Sequence, residues 1–170
     1  MDFHVAPEHP FPSPLEEITH VMEWLKENGE SLNLPTQRLI LFGDSAGGNL
    51  CVSSALKLVE RTVHGSPPPV DGIVLIAPSL LSQRHPPSSE KYANDFILPG
   101  EVMELVRDFY CNDNNEINHF VSPGYAPRQT SKETPTVLPH VWQQGPSSRR
   151  HTQLCTQYIK IGKQSGDSDP

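Results

Sequence analysis

The chain has no apolar run able to cross a bilayer: stretches such as Ile73 to Ala77 stop far short of the roughly 20 residues a helical span requires. No charged-then-apolar leader opens it. The expectation is therefore a cytoplasmic protein without a transmembrane segment, with the reservation that the true N-terminus, and any targeting segment, could lie upstream of Met1. Cysteine is scarce. Cys51, Cys111 and Cys155 are odd in number, far apart and free of C-x-x-C spacing, which excludes a disulfide framework and a zinc site and reads as free thiols with no bound metal. Basic residues are outnumbered, 13 Lys+Arg against 20 Asp+Glu, and Arg149-Arg150 is the one adjacent basic pair. A net charge of −7 argues against nucleic acid or an anionic membrane as partner, since both are held by clustered Lys and Arg.

Apolar residues are also few, 35%, and prolines many, 18, so part of the chain falls short of the burial that ordering requires. That part is placed at the C-terminus. At 170 residues there is room for one domain with a real core and not for two.

What is present reads as alternating strand and helix. Asp2-Phe3-His4-Val5 reads as the end of a strand, and the alternating prolines of Ala6-Pro7-Glu8-His9-Pro10-Phe11-Pro12 then impose a rigid, non-helical loop. Ser13-Pro14-Leu15-Glu16 has the composition of a capping box, and Leu15, Ile18, Val21, Met22 and Leu25 form one helical stripe stopped by Asn28-Gly29. Leu39-Ile40-Leu41-Phe42 reads as a strand buried on both faces. A helical pattern resumes from Ala46 to about Arg61 through Leu50, Ala55, Leu56 and Val59, and Gly72 to Ala77 is a second buried strand ended by Pro78. This β-α-β-α-β order implies a parallel sheet. Pro99-Gly100 introduces a short helix with Val102, Leu105, Val106 and Phe109 on one side, consistent with the rim of a site. Thr136-Val137-Leu138 begins a strand that Pro139 interrupts, and no apolar period is sustained from Gln143 to Pro170.

Gly43-Asp44-Ser45-Ala46-Gly47 fits G-x-S-x-G, and its position between a strand and a helix is the setting of a nucleophile elbow. The serine of such an elbow sits on a strained turn, so Gly43 and Gly47 are expected to lack side chains because backbones crowd there. Ser45 would be the nucleophile. At a helix N-terminus, unpaired N–H groups and the helix dipole favour a developing oxyanion, which makes the Ala46 N–H the candidate donor. A serine hydrolase also needs a base and an acid to orient it, expected after the serine in the order Asp or Glu, then His. His64, His85, His119, His140 and His151 all lie in irregular or polar surroundings. Each is more economically an exposed histidine than a base, as Asp113, Glu116, Asp167 and Asp169 are solvated charges. Glu8 and His9, upstream of the serine, are expected to support their loop.

Ala6-Pro7-Glu8-His9-Pro10-Phe11-Pro12 followed by Gly43-Asp44-Ser45-Ala46-Gly47-Gly48-Asn49-Leu50 resembles the hormone-sensitive-lipase-like esterases of the α/β-hydrolase fold, in both motifs and their separation. Asp2 to Val5 looks like that family's preceding strand and Asp71 to Pro78 like the strand after the elbow helix, so the resemblance covers about residues 2–138. It implies an α/β fold with a mostly parallel sheet flanked by helices, a cap region, and hydrolysis of small-molecule or lipid carboxylic esters without metal or organic cofactor. The family's His-Gly-Gly oxyanion loop lies upstream of the part matching Asp2 to Val5. Its catalytic aspartate follows a strand whose beginning resembles Thr134 to Leu138, where this chain continues Pro139-His140-Val141-Trp142. Neither the aspartate nor the catalytic histidine transfers to a numbered position.

The expectation is a partial, truncated member, with a hydrolase-like domain over 1–138 and a divergent, poorly ordered tail over 139–170. Two readings stay open: an ester hydrolase acting through Ser45 and impaired, or an inactive hydrolase-like fragment serving as an interaction protein.

Overall fold

Four prolines, Pro7, Pro10, Pro12 and Pro14, and the apolar stripe behind them decide how the chain begins. Residues 6–12 form turns, as expected, and helix α1 (Ser13–Asn28) follows with proline in its first turn, where a missing N–H costs nothing. In this computed structural model the described residues are 1–61, 70–80, 93–94, 96, 98–111 and 118–126, together with the backbone of 156–159. The capping box does not form. Pro12 is the cap, Ser13 is already helical, and the Glu16 carboxylate turns away to Lys57 and Arg61 of the next helix, where a cation holds it better than a neutral amide. Nor does Gly29 make the turn that ends α1. It stays right-handed, and Asn33, at φ 57°, turns the chain instead.

Strand β1 (Ile40–Asp44) runs into helix α2 (Ser45–Arg61), and β2 (Gly72–Ile76) lies parallel to β1 with Ile40 opposite Gly72 and Asp44 opposite Ile76. Asp71 locks this register: its carboxylate accepts from Leu39 N–H at 2.7 Å and its own N–H donates to Leu39 O at 2.8 Å. Helix α3 (Gly100–Tyr110) comes later in the chain, and strand β3 (Thr156–Ile159) pairs antiparallel with β2, giving the order β1-β2-β3. The architecture is thus α/β, with helices packed against the sheet. The expected tail over 139–170 falls outside the described residues except for the backbone of β3. The expected strand near Thr136 lies outside them as well.

The core lies between the helices and one face of the sheet. Met22 from α1, Val52, Ala55 and Leu58 from α2, and Ile73 and Leu75 from β2 pack together with Val70, while Leu15 and Thr19 are fully buried nearby. Two strand expectations need correcting. Residues 2–5 are not a strand: no described strand lies beside them, and His4 N–H is taken by the Glu17 carboxylate at 3.0 Å. Strand β1 is not buried on both faces either. Leu41 packs on the core, but Ile40 and Phe42 point from the opposite face and keep 62% and 66% of their surface exposed. Alternation along a strand separates the two sets, and no described element covers the second.

Candidate active site

The turn between β1 and α2 has the geometry its glycines foreshadow. The strand reaches Asp44 and the helix begins at Ser45, so the junction has no intervening loop. The whole change of direction falls on Ser45, whose φ of 47° lies in the left-handed region that a side chain rarely adopts. Holding a non-glycine residue there costs on the order of 1–3 kcal/mol and persists only when the surroundings enforce it. Ser45 and Ala46 are exposed, as is Asp44.

Gly43 is one enforcing element. A Cβ on it would stand 2.4 Å from Gly47 O and 2.8 Å from Cys51 Sγ, so strand and helix approach closely only because that carbon is absent. Gly48 is another: its missing Cβ would stand 2.8 Å from Pro78 Cβ, which lets the segment after β2 lie against the first turn of α2. Gly47 departs from expectation, since a Cβ there meets nothing within 4 Å. Its backbone is what Gly43 crowds, and its own side-chain position faces open space.

The chain after β2 copies the kink. Ala77, the residue following the last pair of the β1–β2 register, has φ 41°, so two left-handed residues stand at the carboxyl ends of neighbouring parallel strands. In open parallel sheets this end is where ligands bind. Ser79 N–H then donates to Ser45 O at 3.1 Å. The Asn49 amide, one helical turn beyond Ser45 and nearly buried, donates to Ser79 O at 2.7 Å and to Val121 O at 2.9 Å. Ser53, another turn along and fully buried, donates to Phe120 O at 2.7 Å. Sequence reasoning assigned no role to Asn49 or Ser53. Their signal was two polar residues spaced by four on a helix face shared with apolar neighbours, where a buried amide must find partners.

Of the described histidines, His4, His9 and His119 are engaged elsewhere, and His20 lies exposed on α1. His4 Nδ1 lies 2.7 Å from the Glu17 carboxylate, whose pKa the hydrogen bond from the His4 backbone holds below the ordinary value, and the His9 ring lies tilted against His4 with centroids 4.4 Å apart. His119 Nε2 meets Glu60 at 2.8 Å, and Glu60 is about 22 Å along α2 from Ser45 at 1.5 Å per residue. No described side chain is hydrogen-bonded to Ser45 Oγ, His9 included. His64, His85, His140 and His151, and likewise Asp113, Glu116, Asp167 and Asp169, lie outside the described residues.

Beneath the turn, Cys51 is a free, half-buried thiol whose pKa desolvation pushes up to about 11, which keeps it protonated and a poor nucleophile near neutral pH. Helix α3 presents Val102, Leu105, Val106 and Phe109 to solvent, and its C-terminal end is tied to the proline-rich loop where Phe11 N–H donates to Tyr110 O at 2.8 Å. Among the described residues no three His, Cys, Asp or Glu side chains converge as a metal site, and no helix is long and apolar enough to cross a membrane.

Residues 1–165 match the family described as alpha/beta hydrolase fold. Among curated proteins, the chain is 29% identical over 123 residues to carboxylesterase NlhH of Mycobacterium tuberculosis, covering 72% of this chain and 37% of that protein. It is 34% identical over 123 residues to the hormone-sensitive lipase of Mus musculus, covering 72% of this chain and 16% of the lipase. Among solved structures, a carboxyl esterase from Tuber melanosporum superposes with TM-score 0.68 at 25% identity over 75% of this chain and 40% of the esterase. A hyperthermophilic esterase from Pyrobaculum calidifontis gives 0.67 at 28% identity over 76% and 42%. The chain thus spans about two fifths of the length of these esterases.

Proposed function

The chain belongs to the alpha/beta-hydrolase fold family, and from that premise we propose that it acts on carboxylic esters through Ser45 as nucleophile, with impaired turnover. The left-handed Ser45 at the head of α2, pinned by the close approach of Gly43 to Gly47, is the observation that supports this most directly. The related esterases and lipases point to small-molecule or lipid esters as the substrate class.

Ser45 Oγ would attack the ester carbonyl carbon as its proton leaves, giving a tetrahedral adduct whose oxyanion faces the Ala46 N–H and the positive end of the α2 dipole. Collapse would expel the alcohol, and water would then release the acid from the acyl-serine. Among the described residues no side chain is hydrogen-bonded to Ser45 Oγ to take its proton, and on the impaired reading water is the acceptor and the first step is slow. Triad removal in a serine protease leaves roughly 10³–10⁴-fold catalysis over water, and each missing oxyanion donor costs a further factor of about 10²–10³. The rate toward a chromogenic butyrate ester should accordingly lie close to background. A fluorophosphonate, which is more electrophilic than a butyrate ester and is read after a single attack, should still modify Ser45, though slowly, and Ser45→Ala should abolish the labelling. A robust Ser45-dependent butyrate hydrolysis would overturn the impairment and show that a histidine outside the described residues serves as base. Absence of both hydrolysis and labelling would leave the second reading, an inert hydrolase-like protein that functions by contact, which the bare Ile40 and Phe42 favour.

A further inference from the structure

We infer that Asn49 is a positioning residue for Ser45, acting through Ser79; this rests on the reading of Ser45 as nucleophile. Ser79 is bonded at both ends to the first turn of α2. Its N–H donates to Ser45 O at 3.1 Å, and its carbonyl accepts from Asn49 Nδ2 at 2.7 Å. The segment Ala77 to Ser79 therefore cannot lift from the elbow without breaking both bonds. Asn49 spends its second donor on Val121 O at 2.9 Å, which anchors the clasp to the 118–122 segment rather than leaving it to the loop alone. Both oxygens are backbone carbonyls, which only accept, so the NH₂ group must be the atom facing them and the amide has one possible orientation.

The clasp bears on reactivity because the elbow is strained twice over. Ser45 at φ 47° and Ala77 at φ 41° would each relax toward ordinary backbone if released, and the bonds through Ser79 join the two. Relaxation of Ser45 would rotate its Oγ and the Ala46 N–H away from a common target, whereas α2 beyond its first turns, held by Val52, Ala55 and Leu58, would stay packed. Gly48 admits Pro78 to this contact, since any Cβ there would meet it at 2.8 Å. Aspartate at 49 would set carboxylate oxygens against two carbonyls, and alanine would leave both carbonyls without their donor.

The test compares Asn49→Ala and Asn49→Asp with Leu58→Ala, a core truncation near the far end of the same helix that lowers stability without touching the clasp. The readouts on the full chain are the rate of Ser45 modification by a fluorophosphonate and amide hydrogen exchange at Ser79 and along α2. The expected result is labelling slowed at least tenfold in both Asn49 variants and within about threefold of wild type in Leu58→Ala. Ser79 exchange should rise in the Asn49 variants while amides from Ala55 to Glu60 keep their protection. If Asn49→Ala and Asn49→Asp do not fold, Asn49→Ser, which keeps a single donor, should show an intermediate slowing. Asn49 variants that label like wild type, or that exchange faster throughout α2, would overturn the inference and leave Asn49 a general stabiliser. If wild-type Ser45 is not labelled at all, the nucleophile reading fails, and the exchange pattern still decides whether the clasp exists.

Discussion

Gly43 and Gly47 flank the same serine and carry opposite steric demands. A methyl group at 43 would stand 2.4 Å from a backbone oxygen that cannot move without unwinding the first turn of α2, whereas at 47 it would enter open space. Gly43→Ala should therefore destabilise by about 1–3 kcal/mol, the range for overpacking, and slow Ser45 labelling as the elbow shifts. Gly47→Ala should be neutral or stabilising by up to about 1 kcal/mol, because alanine restricts the unfolded chain and suits a helix better. Urea denaturation of the two variants gives the comparison directly, and equal losses would show that both positions are crowded. The identical G-x-S-x-G letters concealed this difference, which depends on which way each missing Cβ would point across the strand–helix junction.

Helices α1 and α2 are joined at their solvent edge by charge. Glu16 contacts Lys57 and Arg61, and Arg61 reaches Glu23 at 3.1 Å. The hydrogen bond from Lys57 is the main cause holding the Glu16 carboxyl below its ordinary value of 4.5, against an opposing effect of burial. A carboxyl depressed in the folded state contributes its full stabilisation above the unfolded value and loses it as pH falls below that value through the folded one. Stability measured from pH 6 down to pH 3 should decline, and Lys57→Met should make the decline shallower. The effect should stay below about 1 kcal/mol, since the pair is partly exposed, and shrink in salt. An unchanged slope would mean that Lys57 does not hold Glu16 in solution. The α1 stripe was legible from its helical period, and the strand before Ser45 and the strand of Gly72 to Ile76 from continuous apolar runs bounded by turn residues. The roles of residues 2–5 and of Glu16 were not, because a strand needs a neighbour and a carboxylate goes to the strongest cation in reach, facts fixed by tertiary contact.

At the scale of the whole molecule the sheet is covered on one side only among the described residues. Ile40 and Phe42 stand together on the other, and parallel sheets with a bare apolar face are rare in monomers. Phe42→Thr should reduce self-association in sedimentation measurements at little cost in stability, since the side chain it replaces is already 66% exposed. Unchanged sedimentation would show that this face is not the adhesive one. The topology adds an order in time. Strand β2 finds β1 across 32 residues of chain, Gly72 with Ile40, but finds β3 across 80, Ile76 with Thr156. Loop closure costs roughly 0.6 kcal/mol more for each doubling of length, and on the ribosome the first pair has emerged long before the second can. The β1–α2–β2 unit that frames Ser45 therefore assembles first, and the far edge of β2 stays open to any passing strand until residues 156–159 have been made.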